Sequence, residues 1–280
     1  MPHNLILRFR VADRPGIVAA IAPFLASRGC DIRAAEVYGD AETGTFFCRM
    51  ELTSRVTRAD LAEAIGPLGV DLGLDWELAD QKEPVRVLIA VSKFGHCLVD
   101  LIHKQEIGQL PIEIVGVVSN HDVMRKTVEW HGLPYHHLPT EGDKPRQEAQ
   151  LLELIQTTGT ELTVLARYMQ ILSDDLSRRL DGRCINIHHS FLPGFKGARP
   201  YHRAHERGVK LIGATAHFVT SDLDEGPIIE QAVERVDHRD SVDDLIRIGR
   251  DIEARVLARA VDALGERRVF LNGNRTVIFR

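Results

Sequence analysis

VRVLIAVS, residues 85–92, is apolar almost throughout and rich in β-branched side chains. A strand with one wet face alternates apolar and polar residues. A run that does not alternate is covered on both faces, as in a parallel sheet sandwiched by helices. Three further runs have the same character: IEIVGVVSN (112–120), ELTVLARY (161–168) and RCINIHHS (183–190). Helical segments separate them, and strands alternating with helices predict a parallel α/β sheet. LIGATAHFVT (211–220) and IIEQAVERV (228–236) add two strands, residues 241–264 read as a long helix, and RRVFLNGNRTVIF reads as a hairpin turning at Asn272-Gly273.

Upstream the rhythm differs. LILRFRV (5–11) is a strand, broken by Asp13-Arg14-Pro15-Gly16, with Pro15 suited to the first turn of a helix. IVAAIAPFLASRG has helical spacing and ends at Gly29, a C-terminal cap. DIRAAEVYGD and TGTFFCRMELT form a hairpin through residues 40–44, residues 57–68 read as a second helix, and VDLGLDWEL as a fourth strand. The order βαββαβ is that of a ferredoxin-like unit. The polar stretch 79–84 ends in proline. The expected organisation is therefore a first domain at 1–80, a linker at 81–84 and a Rossmann-like, mostly parallel-sheet domain at 85–280.

The 280 residues hold 35 Lys+Arg against 40 Asp+Glu, a formal charge of −5 with both signs interspersed, which argues against nucleic acid as a partner. Four dispersed cysteines without a C-x-x-C pair suggest free thiols in a reducing compartment. The N-terminus lacks the pattern of a signal peptide, and no apolar run is long enough for a membrane helix. The expectation is a cytoplasmic protein with no membrane partner.

NIHHSFLP (186–193) puts an amide and two imidazoles where a strand meets a loop. Side chains alternate faces along a strand, so Asn186 and His188 point together into the crevice and His189 is turned away. An amide and an imidazole aimed together can stabilise an oxyanion growing on a carbonyl. SDLDEGP (221–227) supplies a carboxylate: Asp224 lies between Leu223 and the Gly226-Pro227 turn, and partial burial is expected to raise its pKa toward neutrality. From the residues alone these groups also fit satisfied structural roles, and no spacing rule joins Asn186 to Asp224. His202-x-x-His205 reads as a solvated helical face, His136-His137 point oppositely on a strand, and His121 and His217 read as core or loop packing. No metal site is expected.

NIHHSFLP, GATAHFV (213–219) and LDEGPII (223–229), together with RYMQILS (167–173), resemble the formyltransferase family that uses 10-formyltetrahydrofolate. The resemblance implies Asn186, His188 and Asp224 as the catalytic trio and a pterin pocket at RYMQILS and the loop into Asp224. Met169, Ile171 and Leu172 are then the folate contacts, although plain core packing at a strand-to-helix junction fits them too. Folate is the substrate and no cofactor is implied. The N-terminal unit, with Asp13-Arg14-Pro15-Gly16-Ile17, resembles an ACT domain, a small-molecule sensor. That implies an amino-acid effector, methionine or glycine, near Gly16, and a homo-oligomer; a tight strand-to-helix turn explains Gly16 equally well.

SKFGHCLVD (92–100) stands where family members that formylate a ribonucleotide carry a glycine-rich phosphate loop. Only Gly95 offers that backbone freedom, and Lys93, Phe94, His96 and Cys97 bring bulk, so the loop is poorly suited to cradle a phosphate. With His189, GARPYHRAHERGVKLIGATAHFV (197–219) and NGNRTVIF (272–279), the chain resembles the family's hydrolytic branch. That branch releases tetrahydrofolate and formate, balancing one-carbon folate pools and supplying formate for purine biosynthesis. Two alternatives stay open: formyl transfer to an amine such as a nucleotide, amino sugar or aminoacyl-tRNA, and a non-catalytic folate or amino-acid sensor.

Overall fold

The computed structural model describes residues 2–140, 142–194 and 200–280. The chain divides into two units at Pro84/Val85. The first runs β1 (His3–Ala12), α1 (Ile17–Ser27), β2 (Cys30–Asp40), β3 (Thr45–Ser54), α2 (Arg58–Leu72) and β4 (Asp75–Asp80). Its antiparallel sheet has the order β2-β3-β1-β4. Alternate residues of β1, from Leu5 to Val11, bury one sheet face against Ile17, Ile21 and Leu25 of α1 and Leu61 and Ile65 of α2.

Two expectations for this unit are corrected. Pro15 precedes the helix; α1 starts at Ile17 after Gly16, whose φ of 93° is open to glycine and strained for other residues. The fourth strand begins at Asp75, not Val70, because α2 continues past Pro67 to Leu72 and ends on Gly73 at φ 70°. Gly29, at φ 73°, follows the end of α1 and donates its N–H to Ala26 O at 3.0 Å.

The second unit runs β5 (Val85–Val91), α3 (His96–Glu106), β6 (Ile112–Ser119), α4 (Arg125–Trp130), β7 (Tyr135–His137), α5 (Lys144–Thr157), β8 (Leu162–Leu165), α6 (Asp174–Arg179), β9 (Cys184–His188), α7 (Pro200–Arg207), β10 (Leu211–Phe218), β11 (Ile228–Arg235) and α8 (Val242–Gly265). It is an α/β fold on one mixed seven-stranded sheet, ordered β11-β10-β9-β8-β5-β6-β7. The strands from β9 to β7 are parallel, while β10 runs antiparallel to both β9 and β11. β5 is buried along nearly its whole length, as its unalternating sequence demands. The three-residue β7 holds His136 and His137, on the strand expected for them.

β12 (Val269–Asn272) and β13 (Arg275–Ile278) form the C-terminal hairpin. Residues 266–272 and 277–280, expected from sequence to belong to the second domain, pack with the first unit instead. Phe270 meets Phe47 edge-on at 5.6 Å, the Arg8 guanidinium lies 4.1 Å above the Phe270 ring, and Asn272 Nδ2 donates to Asp40 at 2.6 Å. They cover the sheet face opposite the two helices. A sheet with one apolar face already buried carries no sign in its sequence of what returns to cover the other.

All four cysteines are free and buried. Among the described residues no helix is long and apolar enough to cross a membrane. Residues 197–199, which open the GARPYHR stretch, lie outside the described residues.

Candidate active site

A cavity of about 930 Å³ opens at the C-terminal ends of β8 and β9, and its lining includes Asn186, His188 and Asp224. β9 supplies the first two. Asn186 and His188 are two apart on one strand and share a face. Antiparallel pairing sets His217 opposite Asn186 and Thr215 opposite His188, and residues directly opposite share that face too. Thr215, fully buried, anchors the loop after β9: its hydroxyl donates to Ser190 O at 3.0 Å and accepts from Leu192 N–H at 3.1 Å and Gln231 Nε2 at 2.9 Å. Thr215→Val is expected to leave those groups unpaired and cost about 1–3 kcal/mol. Denaturant unfolding of the variant reads this directly, and an unchanged midpoint would mean that the loop is held by other contacts.

Asp224 arrives on the loop after β10. Phe218 N–H donates to Pro227 O at 2.9 Å and closes the loop, with Asp224 itself at φ 58°. A Cβ on Gly226 would stand 1.8 Å from Phe218 O, so glycine is required at this close approach. The closure turns the Asp224 carboxylate inward. Its Oδ2 lies 3.2 Å from His188 Nδ1, and its Oδ1 lies 3.7 Å from His217 Nε2. His217 Nδ1–H donates to Phe218 O at 2.8 Å, which leaves Nε2 to accept from Asn186 Nδ2 at 3.3 Å. His188 Nε2 is buried without a hydrogen-bond partner among the described residues.

The expected raised pKa of Asp224 is overturned. Burial does push the carboxyl up, but the hydrogen bond and charge of His188, with the His217 imidazole beside it, outweigh burial and hold it well below the usual carboxylate range. Asp224 is a carboxylate throughout the neutral range. The expectation that His217 is mere packing is corrected as well: it touches both Asn186 and Asp224. Its role is invisible in the chain because the β9–β10 register cannot be read there.

His189 is not turned away. β9 ends at His188, so strand alternation stops there, and the His189 ring stacks on His188 at 5.0 Å and 19° and lines the cavity. Burial, with Arg167 and His188 nearby, lowers its pKa to about 4, so it is neutral at physiological pH.

Met169, Ile171 and Leu172 line the same cavity. Met169 is 54% and Ile171 62% exposed, which separates them from the core. The segment is pinned at both ends. Met169 N–H donates to Ser92 Oγ at 3.0 Å, Ser92 Oγ donates to Asn120 at 2.6 Å, and Glu148 accepts from Ser173 N–H at 2.8 Å. Gly16 lies in the first unit, and a Cβ there would meet nothing within 4 Å. His202 and His205 are both exposed on α7.

A second buried group stands on the cavity wall, built from residues so far apart in the chain that no local pattern signals it. Glu253, 1% exposed on α8, accepts from Tyr201 Oη at 2.7 Å, pairs with His96 Nε2 at 2.7 Å and lies 3.4 Å from Arg167 Nη1. Burial pushes its carboxyl up, but His96, Arg167 and Tyr201 pull it below its ordinary value. His96, Cys97 and Glu253 stand close enough together to suggest a cation site. Their chemistry does not fit one. Both carboxylate oxygens are taken, a guanidinium already supplies the positive charge, and burial and Glu253 push the Cys97 thiol well above its ordinary value, away from the thiolate a metal needs.

The family model for formyl transferases matches residues 85–261. A formyltetrahydrofolate deformylase of Corynebacterium is 50% identical over 98% of this chain and 98% of its own length. The solved structure of a formyltetrahydrofolate deformylase from Burkholderia mallei aligns over the whole of both chains with a TM-score of 0.96 at 50% identity. A glycinamide ribonucleotide transformylase from Symbiobacterium toebii aligns over 73% of this chain and 98% of its own, with a TM-score of 0.68 at 31% identity.

Proposed function

This chain belongs to the formyl transferase family, among its formyltetrahydrofolate deformylases, and from that premise we propose how its own residues perform the hydrolysis. The enzyme cleaves 10-formyltetrahydrofolate to tetrahydrofolate and formate. The observation that carries the mechanism is the convergence of Asn186, His188 and Asp224 on one cavity, with Asp224 against His188 Nδ1 and His188 Nε2 unpartnered among the described residues.

Met169, Ile171 and Leu172 hold the pterin and place the formyl group between β9 and the Asp224 loop. Water attacks the formyl carbon and passes a proton to the His188–Asp224 pair. The carbonyl oxygen becomes an oxyanion facing the Asn186 amide and the protonated His188. The bond from carbon to N10 then breaks as the pair returns its proton to N10, and the formic acid released loses its own proton to solvent. These steps need no metal or cofactor.

The branch assignment rests on what nucleophile the cavity admits. Phe94 from the loop after β5 and His96 from the first turn of α3 line it, where a phosphate-binding member of the family needs bare backbone. An acceptor-free assay tests this. Formate and tetrahydrofolate are expected in equal amounts, at a rate unchanged by added glycinamide ribonucleotide. A formylated amine, or formate only when amine is present, would favour transfer.

The lowered Asp224 pKa sets the pH profile. A base works deprotonated, so its contribution is lost as pH falls through its folded pKa, which lies below the ordinary value of about 4. No acid limb of kcat/KM between pH 5 and 8 is then due to Asp224. A limb in that interval that moves with Asp224→Glu would contradict the assignment.

We read the first unit as an ACT-type effector domain that answers to an amino acid, methionine or glycine, near Gly16. Its βαββαβ order and β2-β3-β1-β4 sheet support that reading. Val37 and Tyr38, about half exposed on edge strand β2, support a homo-oligomer in which a second copy covers that edge. Buried free thiols fit a cytoplasmic enzyme.

A further inference from the structure

The hydrolysis makes two products, and the pterin pocket accounts for one. The other is a small carboxylate, released beside the ionised Asp224, which repels it. It needs a positive charge within reach.

Among the described residues, the cavity lining contains two side chains with a permanent positive charge, Arg167 and Arg250. Arg250 is exposed. Arg167 is 12% exposed and sits at φ 63°, immediately before the pterin-contacting segment. Its guanidinium lies 5.7 Å from the Phe94 ring. Its Nε and Nη1 are buried and find no hydrogen-bond acceptor among the described residues. Glu253 Oε2 lies 3.4 Å from Nη1 as an ion pair without forming a hydrogen bond, while its oxygens also take Tyr201 Oη and His96 Nε2. Buried polar groups are nearly always paired, so a guanidinium with two orphaned N–H donors inside a reactive cavity calls for an acceptor that arrives with the reaction. Arg167 is also near the chemistry. Its charge helps lower the His189 pKa, and His189 stacks on His188.

We propose that Arg167 is the seat of the formate product: a small-carboxylate subsite on the cavity wall beside the trio, with Glu253 as the internal carboxylate that limits how tightly it holds. The proposal rests on the hydrolytic reading for the identity of the anion. Glu253 orients the guanidinium and opposes a second negative charge there, so formate is captured from the reacting centre and then let go.

The test is formate binding to the substrate-free full-length enzyme, followed by NMR of isotope-labelled formate at constant ionic strength, with folding checked by thermal melting. Arg167→Gln is expected to weaken formate binding about tenfold or more, since hydrogen bonds to charged groups carry that much affinity. Arg167→Lys, which keeps the charge and loses the planar donors, is expected to fall between. Glu253→Gln is expected to move the other way and tighten binding, because the competing carboxylate charge is gone. The same order is expected for formate as a product inhibitor. Equal formate binding by wild type and a folded Arg167→Gln, or weakening in both Arg167→Gln and Glu253→Gln, would overturn the subsite and leave Arg167 as part of a structural ion cluster. The acceptor-free assay separates the two claims. Wild type that binds formate at Arg167 but releases none from the folate refutes hydrolysis alone, and wild type that hydrolyses without such binding refutes the subsite alone.

Discussion

Asp224→Asn is expected to lower turnover by about 10²–10⁴, the range that general acid–base catalysis supplies, while leaving folate binding nearly intact. Asparagine keeps the size of the side chain and can still accept from His188 Nδ1–H, so the 3.2 Å contact and the loop closed by Phe218 and Pro227 survive. What disappears is the negative charge that lets the pair take a proton from water and hand it to N10. The loss should fall in kcat, because the pterin contacts at Met169, Ile171 and Leu172 lie on a different segment, anchored independently by Ser92 and Glu148. Equilibrium binding of a non-hydrolysable folate analogue, measured beside single-turnover formate release, separates the two quantities. Near wild-type turnover would remove Asp224 from the chemistry. A matching loss of binding would make it a structural residue of the loop.

Asn186→Ala is expected to cost about 10²–10³ in kcat, the usual effect of deleting one positioned oxyanion donor. The amide nitrogen has two hydrogens. One is directed to His217 Nε2 at 3.3 Å, which fixes the amide, and the other is left for the oxyanion. The variant also frees His217 Nε2, so some of the loss could be indirect. His217→Gln tests for this, because it removes the tether and keeps Asn186. If Asn186 acts directly, its deletion exceeds that of the tether and lowers kcat with little change in KM. Equal losses in the two variants would show that Asn186 matters only as a partner of His217.

The strands are legible in the chain because burial on both faces forces unalternating apolar runs, as in VRVLIAVS, and because glycine and proline mark the turns between them. Asn186 and His188 can be placed together because they lie two apart on one strand. Asp224 is reached only through the resemblance of its motif, since nothing local ties residue 224 to residue 188. Its pKa is misjudged from sequence for a physical reason: burial is foreseeable, but the two imidazoles that outweigh it come from β9 and β10, and their proximity depends on strand register. His189 is misplaced when strand alternation is carried one residue beyond the end of β9. Arg167 and Glu253 come from a β-to-α loop and the last long helix, a pairing that exists only once α8 packs.

The most direct measurement is hydrolysis of 10-formyltetrahydrofolate by the wild-type enzyme in heavy-oxygen water with no amine present, analysing the formate by mass spectrometry. Every formate molecule is expected to carry one solvent oxygen, matched by an equal amount of tetrahydrofolate and abolished together with turnover in Asp224→Asn. Formate without solvent oxygen, or labelled formate released equally well by Asp224→Asn, would contradict water attack directed by Asp224 and His188.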